Sequence, residues 1–202
     1  MIVAGLTGSI AMGKSTVGSM FAELGVPVFD SDVAVRDFYA GEGVQTIEAA
    51  FPGVVVAGRV DRERLGSRVL GDAEALKRLE DRVHPAVAKA RAKFVERAAA
   101  AGHRLVIVDV PLLFETGGDA NVDLVIVVSA PEAVQRRRVL ARAGMTEAKL
   151  DAILSRQMPD AEKRAHAHFI IDTRGPLELT RAVAAQVLRS VRAMAGGRTR
   201  HA

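Results

Sequence analysis

The feature that most constrains this chain is a short string near its N-terminus. Residues 8–15 read Gly-Ser-Ile-Ala-Met-Gly-Lys-Ser, which matches the pattern G-x-x-x-x-G-K-[ST]. In such a loop, successive backbone N–H groups point inward and form a concavity that binds an anion. Glycines permit the close approach and the positive φ angles that this geometry needs. The string therefore predicts a phosphate-binding loop.

The residues on either side of the loop support this interpretation. Ile2–Leu6 is a short apolar run with the length of a buried strand. After the loop, apolar residues recur with helical spacing at Val17, Met20, Phe21 and Leu24. A strand before the loop and an amphipathic helix after it are the context in which this pattern binds phosphate, so a chance match is disfavoured. In that context Lys14 is expected to reach the β- and γ-phosphates, and the Ser15 hydroxyl to ligate Mg²⁺.

Composition narrows the class of protein. The chain has 202 residues, which suits one α/β domain with insertions, or a domain with a small lobe. Apolar residues make up 49% of it, and the absence of cysteine excludes disulfides and thiolate metal sites. No apolar run reaches the roughly 20 residues of a bilayer span. The N-terminus does not have the pattern of a signal peptide, so a cytoplasmic protein without a membrane partner is expected.

The rest of the chain alternates strand and helix patterns. Four more strands are predicted, at Val26–Asp30, Leu105–Asp109, Leu124–Val128 and Phe169–Asp172. Residues 33–101 are mainly helical, with separate helices at Asp61–Leu70, Ala73–Val83 and Pro85–Ala101, and a last amphipathic helix is expected from Pro176 to about Met194. The alternation predicts a parallel sheet with right-handed crossovers.

Acidic residues stand at the ends of two predicted strands. Asp30 and Asp32 are two residues apart, so in extended backbone both carboxylates would project from one face. Ligands of open parallel sheets bind at this carboxyl edge. Asp32 could instead be a helix N-cap. Asp109 matches the strand-terminal acid of phosphate-loop enzymes, with an ordinary strand-terminal aspartate as the alternative.

A basic helical segment follows the fourth strand. Ser129 and Glu132 have the spacing of a capping box, and Thr146 is expected to cap the next helix. Arg138 and Arg142 are four residues apart, so they would share one helix face. They could form a solvated surface, but a lid that stabilises phosphoryl charge is favoured. His166 and His168 could form a metal pair, although a third ligand is missing.

Taken together, these strings resemble the dephospho-CoA kinase family over roughly residues 1–190. The resemblance rests on the phosphate loop, Asp30-Ser31-Asp32-Val33-Ala34-Val35-Arg36, His84-Pro85, Pro111-Leu112-Leu113-Phe114-Glu115 and the helices over 135–157. Ser31 differs from the frequent alanine of the family, and Asp172-Thr173 stands where Asp-Asn is usual.

The resemblance implies a fold, a reaction and a set of sites. The fold is an α/β P-loop three-layer fold with a five-stranded parallel sheet in the order 2-3-1-4-5. Its core would be residues 1–31, 103–130 and 166–195, with a helical substrate lobe over 32–102, a lid over 131–165 and a flexible tail over 196–202. ATP and Mg²⁺ would be used to phosphorylate the ribose 3′-hydroxyl of dephospho-CoA. The implied nucleotide-binding residues are Gly8, Ala11, Met12, Gly13, Lys14, Ser15 and Thr16.

The same resemblance implies the remaining roles. Asp32 would be the catalytic base, and Arg138 and Arg142 would belong to the lid. Arg36, His84, Leu112 and Glu115 would lie, with Asp32, on the dephospho-CoA side. Asp109 would hold Mg²⁺ together with Ser15, with Asp109 acting through water. The protein would be a monomer or a weak homo-oligomer.

Three other functions fit the sequence less well than this one. A phosphate-loop GTPase is disfavoured because Asn121 is the only asparagine, so the guanine-reading Asn-Lys-x-Asp motif cannot exist. A basic nucleic-acid-binding module would suit the net charge of +4, but stacking residues are scarce, with aromatics at 4%. The nearest rival is a nucleoside-monophosphate kinase, or another small-molecule P-loop kinase, which would lack the Asp30/Asp32 and Pro111–Glu115 strings.

Overall fold

The computed structural model describes residues 1–197. Their elements follow in the order β1 (Ile2–Thr7), α1 (Lys14–Glu23), β2 (Val28–Asp30), α2 (Ser31–Ala40), α3 (Gly43–Ala50), β3 (Val55–Val56), β4 (Arg59–Val60), α4 (Arg62–Val69), α5 (Ala73–Ala100), β5 (Leu105–Asp109), β6 (Leu124–Ser129), α6 (Glu132–Leu140), α7 (Glu147–Leu154), α8 (Asp160–Ala165), β7 (Phe169–Asp172) and α9 (Leu177–Gly197). A short 3₁₀ turn, Gly118–Asn121, precedes β6.

The predicted sheet is confirmed. Five strands form one sheet in the order β2-β5-β1-β6-β7. The two strands β3 and β4 form a separate antiparallel hairpin, so the order of the five sheet strands among themselves is the predicted 2-3-1-4-5. Strand β1 lies between β5 and β6 and pairs with both in parallel, and β7 extends the sheet from β6 in the same sense. The fold class is therefore α/β with a parallel five-stranded sheet.

The chain divides into two compact units. The first holds Met1–Phe29 and the described residues from Arg97 to Gly197, and the second holds Asp30–Glu96. The predicted substrate lobe was placed over residues 32–102, and its role remains a prediction.

The core of the first unit lies against one face of the sheet. Alternate residues of β1 and β6 pack there against α1 and α9, because successive side chains of a strand point to opposite faces. The apolar face predicted for α1 is confirmed, since Val17, Met20 and Phe21 are buried. A smaller cluster around Leu113, Val125 and Val127 covers the other face. The sheet is thus covered by apolar residues on both sides, as expected for parallel strands.

The second unit has an apolar core of its own. Helices α2, α3, α4 and α5, the hairpin and the loop between α3 and β3 contribute Tyr39, Ile47, Phe51, Val54, Val60, Leu65, Ala75 and Val83. Ile47 and Val54 are fully buried. A separate cluster of this kind can hold a small helical unit together without side chains from the sheet.

Two local predictions are wrong. The helix break expected between Val83 and Pro85 is absent, because α5 runs through Pro85 in a stretch of 28 residues. A proline removes one helical hydrogen bond, but the Ala-, Lys- and Arg-rich flanks favour helix strongly enough to continue it.

The capping box at Ser129 is also absent: Ser129 ends β6, and its hydroxyl donates to Asp160 Oδ2 at 2.7 Å. The cap predicted at Thr146 is confirmed, since its Oγ1 accepts from the Lys149 N–H.

Helix α9 extends further than predicted, to Gly197. Of the tail predicted over 196–202, residues 198–202 lie outside the described part of the chain. Within residues 1–197, no helix has both the length and the apolar character that crossing a bilayer would require.

Gly8 follows β1 at a position where the backbone of β6 passes very close. A Cβ at Gly8 would lie 2.5 Å from the carbonyl oxygen of Val128. That contact is with backbone, which cannot rotate away as a side chain can. The first glycine of the loop is therefore required for clearance against the neighbouring strand.

We expect Gly8→Ala to lower the free energy of unfolding by about 1–3 kcal/mol, because the added methyl forces β1 and β6 apart. The measurement is urea unfolding followed by circular dichroism. Gly66→Ala in α4 is the matched control, since its Cβ would meet nothing closer than 3.9 Å and alanine favours helix. Equal stabilities for the two variants would contradict the clearance argument.

Candidate active site

The loop between β1 and α1 leaves the start of α1 open to an anion. Gly13, at the N-cap, has a φ of 91°, and no side chain caps the helix. The first N–H groups of any α-helix have no intrahelical acceptor, and at α1 no side chain of the cap residue takes that place. The positive end of the helix dipole lies beside them. Ala11 also has a positive φ, 60°, at a cost on the order of 1 kcal/mol for a residue with a Cβ.

Lys14 and Asp109 form an ion pair beside this loop. Asp109 is the last residue of β5 and is only 3% exposed, and it lies opposite Leu6 of β1 in the sheet register. Its Oδ1 accepts from the Lys14 ammonium. A buried carboxylate needs such a partner because desolvating an unpaired charge is costly. The two residues predicted for phosphate and metal binding are therefore brought together.

A cleft of about 340 Å³ opens next to the loop. Both predicted lid arginines, Arg138 and Arg142, line it, although α6 already ends at Leu140. Loop residues Ala11, Gly13 and Thr16 also line it, as do Thr173, Gly175, Leu177 and Thr180 from the region after β7. The cleft thus joins backbone N–H groups, two guanidinium groups and a partly apolar wall, a combination that suits an anionic ligand with a flat apolar part.

Arg138 is fixed by two different segments. Its Nη1 donates to Thr173 Oγ1 at 2.9 Å, and its Nη2 donates to the Thr173 carbonyl oxygen at 2.6 Å. Nη1 also lies 3.4 Å from the carbonyl oxygen of Ala11 in the loop. Thr173 in turn donates its hydroxyl proton to the Met12 carbonyl at 2.7 Å. The side chain at the position that departs from the family pattern therefore connects the loop with α6.

Glu115 lies in a largely buried ion pair. Its Oε1 is 2.8 Å from Nζ of Lys163, which is fully buried in α8, and it also accepts from the Met158 N–H at 2.8 Å. Burial by itself would raise the pKa of Glu115, but the hydrogen bonds, with that from Lys163 the largest of them, hold this pKa below its ordinary value. Leu112, three residues earlier, is 39% exposed. In this structure Glu115 faces α8, and its predicted role toward dephospho-CoA remains a prediction.

The two neighbouring aspartates of the second unit, Asp30 and Asp32, have different surroundings. Asp30 is the N-cap of α2, where its Oδ1 accepts from the N–H groups of Asp32 at 2.8 Å and Val33 at 3.0 Å. The alternative that Asp32 is the cap is therefore wrong. Asp32 lies exposed in the first turn, and Arg36 is exposed one helical turn later. His84 is exposed within α5.

The residues predicted for Mg²⁺ are chemically suited to it. Ser15 is exposed in the first turn of α1, and Asp109 ends β5, so a hydroxyl and a carboxylate flank the loop. Mg²⁺ usually keeps several waters and binds through one or two protein oxygens together with substrate phosphates. Among residues 1–197 there is no group of three or more His, Asp or Glu side chains placed to hold a metal.

The two histidines considered as a metal pair have other contacts. His168 Nδ1 accepts from the Val125 N–H, and the ring of His166 lies 5.9 Å from that of Phe114.

A parallel sheet with a phosphate loop after its central strand, and a strand-terminal acid beside the loop lysine, defines the class of P-loop kinases. Comparison with known proteins narrows this class. The family model for dephospho-CoA kinase matches residues 1–178. The chain therefore belongs to the dephospho-CoA kinase family.

Individual relatives agree with the family model. A dephospho-CoA kinase of Mesorhizobium japonicum is 57% identical over 97% of this chain and 100% of its own length. Among solved structures, TT1252 from Thermus thermophilus has a TM-score of 0.81 at 35% identity, covering 94% of this chain and 96% of that one. A dephospho-CoA kinase from Campylobacter jejuni has a TM-score of 0.63 at 26% identity, with the same coverage.

The ion pair of Glu115 and Lys163 generates a stability prediction. We expect Glu115→Gln to lower the free energy of unfolding by about 3–5 kcal/mol, because the buried Lys163 ammonium loses its counter-charge. The glutamine can still accept from the Met158 N–H, so the change isolates the charge. The double variant Glu115→Gln, Lys163→Met should recover most of the loss. Urea unfolding of wild type, Glu115→Gln, Lys163→Met and the double variant measures this cycle. An unfolding free energy of Glu115→Gln within about 0.5 kcal/mol of wild type would contradict the prediction.

The same pair predicts a pH dependence. Because the folded pKa of Glu115 lies below its unfolded value, its contribution to stability is complete above the unfolded pKa and is lost as the pH falls through the folded pKa. The double variant should therefore lose less stability than wild type on acidification. An unchanged acid dependence would show that the pair is not responsible.

Proposed function

We propose that this protein transfers the γ-phosphoryl group of ATP to the 3′-hydroxyl of the ribose of dephospho-CoA, giving CoA and ADP, the last step of coenzyme A biosynthesis. The observation that carries the proposal is the family match over residues 1–178, joined to a phosphate loop whose lysine lies beside the acid that ends β5. The relatives' names supply the acceptor, and the loop and its neighbours supply the chemistry.

The donor phosphates would be held by the loop and the start of α1. The backbone N–H groups from Ala11 to Thr16 would surround the phosphate oxygens, and Lys14 would exchange part of its contact with Asp109 for the β- and γ-phosphates. Ser15, with Asp109 through water, would hold Mg²⁺, which when bound neutralises developing charge on the phosphates. The adenine ring and ribose of ATP would occupy the cleft along Thr173, Gly175 and Leu177.

Asp32 is the proposed base that takes the proton of the acceptor hydroxyl. Asp30 already uses its carboxylate to cap α2, whereas Asp32 is exposed in the first turn of the same helix. Of the two aspartates that the sequence left as candidates, Asp32 is thus the one whose carboxylate has no capping task. Arg36, His84, Leu112 and Glu115 are proposed to contact the acceptor together with it.

Arg138 and Arg142 are proposed to act from the lid over residues 131–165. Both line the cleft beside the loop, so their positive charges would stabilise the negative charge that spreads over the transferred phosphoryl group. Closure of the lid would also exclude water and so suppress wasteful hydrolysis of ATP. A cytoplasmic location and a monomeric or weakly associating state remain predictions.

The assignment of the base makes a direct prediction. Asp32→Asn should lower the rate of single-turnover phosphoryl transfer to dephospho-CoA by about 10²- to 10⁴-fold, because the amide keeps the shape but cannot accept a proton. Binding of ATP with Mg²⁺, measured by calorimetry, should be retained because Lys14 and Ser15 are unchanged.

The matched control for this experiment is Asp30→Asn. Asparagine caps a helix about as well as aspartate, so transfer by this variant should stay near that of wild type. Transfer by Asp32→Asn within a few-fold of wild type would exclude Asp32 as the base. Loss of ATP binding in that variant would instead assign Asp32 to metal binding or structure.

A further inference from the structure

Two glutamines bind the same residue of the phosphate loop from opposite sides. Gln135 Nε2 donates to the carbonyl oxygen of Ile10 at 2.8 Å. The N–H of Ile10 donates to Gln157 Oε1 at 3.1 Å. Gln135 lies in α6 and is only 4% exposed, and Gln157 follows α7. Both polar backbone groups of Ile10 are therefore held by side chains from the segment predicted as the lid.

The direction of a carbonyl decides the direction of the next N–H. A trans peptide is planar, so the C=O of one residue and the N–H of the following residue point in opposite directions. No described residue has a cis peptide bond. Holding the Ile10 carbonyl on Gln135 therefore makes the N–H of Ala11 point in the opposite direction within the same peptide plane. A phosphate loop works only when such N–H groups point into the concavity.

The next two carbonyls of the loop are held in the same way. The Ala11 carbonyl lies 3.4 Å from Arg138 Nη1, and the Met12 carbonyl accepts from Thr173 Oγ1 at 2.7 Å. Three successive peptide planes are thus fixed by side chains that come from outside the loop. Of the side chains involved, only the two glutamines bond both backbone polar groups of one residue, the C=O and the N–H of Ile10.

We propose that Gln135 and Gln157 are positioning residues for nucleotide phosphate binding, which set the peptide planes on either side of Ile10. The inference rests on the proposed function only in taking a nucleoside triphosphate as the ligand of the loop. The two side chains act through the backbone and do not touch the phosphates. They also connect α6 and the segment after α7 to Ile10, so two parts of the predicted lid are hydrogen-bonded to the same loop residue.

The two hydrogen bonds have opposite polarity, and this gives a crossed test. Gln135 must donate, so Gln135→Glu replaces the donor with a carboxylate that repels the Ile10 carbonyl. Gln157 must accept, so Gln157→Glu keeps an acceptor for the Ile10 N–H. Both variants add one negative charge beside Ile10, but Gln135 is buried and Gln157 is half-buried. Neutral methionine variants at both positions therefore separate the loss of the hydrogen bond from the burial of a charge.

The measurement is the dissociation constant of ATP with Mg²⁺ by calorimetry, with adenosine as a ligand that has no phosphates. We expect Gln135→Glu to bind ATP about 5- to 100-fold more weakly than Gln157→Glu, as for a lost bond to a buried acceptor. Adenosine affinity should be the same in both. Gln135→Met and Gln157→Met each remove one of the two hydrogen bonds without adding charge, and each should weaken ATP binding.

Melting temperatures of the four variants separate positioning from a structural role. A structural role would lower the melting temperature and leave the ATP affinity of the folded protein unchanged, and that result overturns the proposal. Equal ATP affinities for the two glutamate variants also overturn it. Wild-type protein that binds ATP but does not phosphorylate dephospho-CoA would refute the proposed acceptor, while the difference between the glutamate variants would still support the positioning role.

Discussion

The site depends on the fixed direction of the peptide planes in the phosphate loop. A loop made of backbone cannot bind phosphate unless its N–H groups already point inward, because turning them at the moment of binding would cost the affinity they provide. Here that direction is imposed by side chains from two segments, Gln135 and Arg138 from α6 and Thr173 after β7. The backbone of β6 adds a steric constraint, since it leaves no room for a Cβ at Gly8. The parallel sheet is what brings these elements to one edge.

Much of the fold could be predicted because its signals are local. Buried parallel strands are short apolar runs, and the core strands were located with small differences at their ends, such as β2 beginning at Val28 where Val26 was expected. The errors arose where a local rule competed with its surroundings. The rule that proline breaks helices fails at Pro85, because strong helix formers flank it. The capping-box spacing fails at Ser129, because the Ser129 hydroxyl donates to Asp160 instead. At Asp30 and Asp32 the pattern allowed either cap, and only the structure decides for Asp30.

The candidate site was predictable to the extent that motifs mark it. The loop string identified Lys14, and a strand ending in an acid identified Asp109, and these two residues are in contact. The sequence gives no role to Thr173, Lys163 or the two glutamines. Lys163 acts on a residue 48 positions away, and the other three act on residues more than 120 positions away, so these pairs leave no spacing pattern in one sequence. A buried lysine in a short polar helix looks like a surface residue until its partner, Glu115, is known.

The proposed activity, transfer of the γ-phosphoryl group of ATP to dephospho-CoA, requires Lys14 in the phosphate loop. The most direct measurement is coupled ADP release with dephospho-CoA, AMP, CMP or adenosine as acceptor, for wild type, Lys14→Ala and the exposed-lysine control Lys77→Ala. We expect ADP release that depends on dephospho-CoA, falls about 10²- to 10⁴-fold in Lys14→Ala and is unchanged in Lys77→Ala. Preference for a nucleoside monophosphate, or near-normal transfer by folded Lys14→Ala, would contradict it.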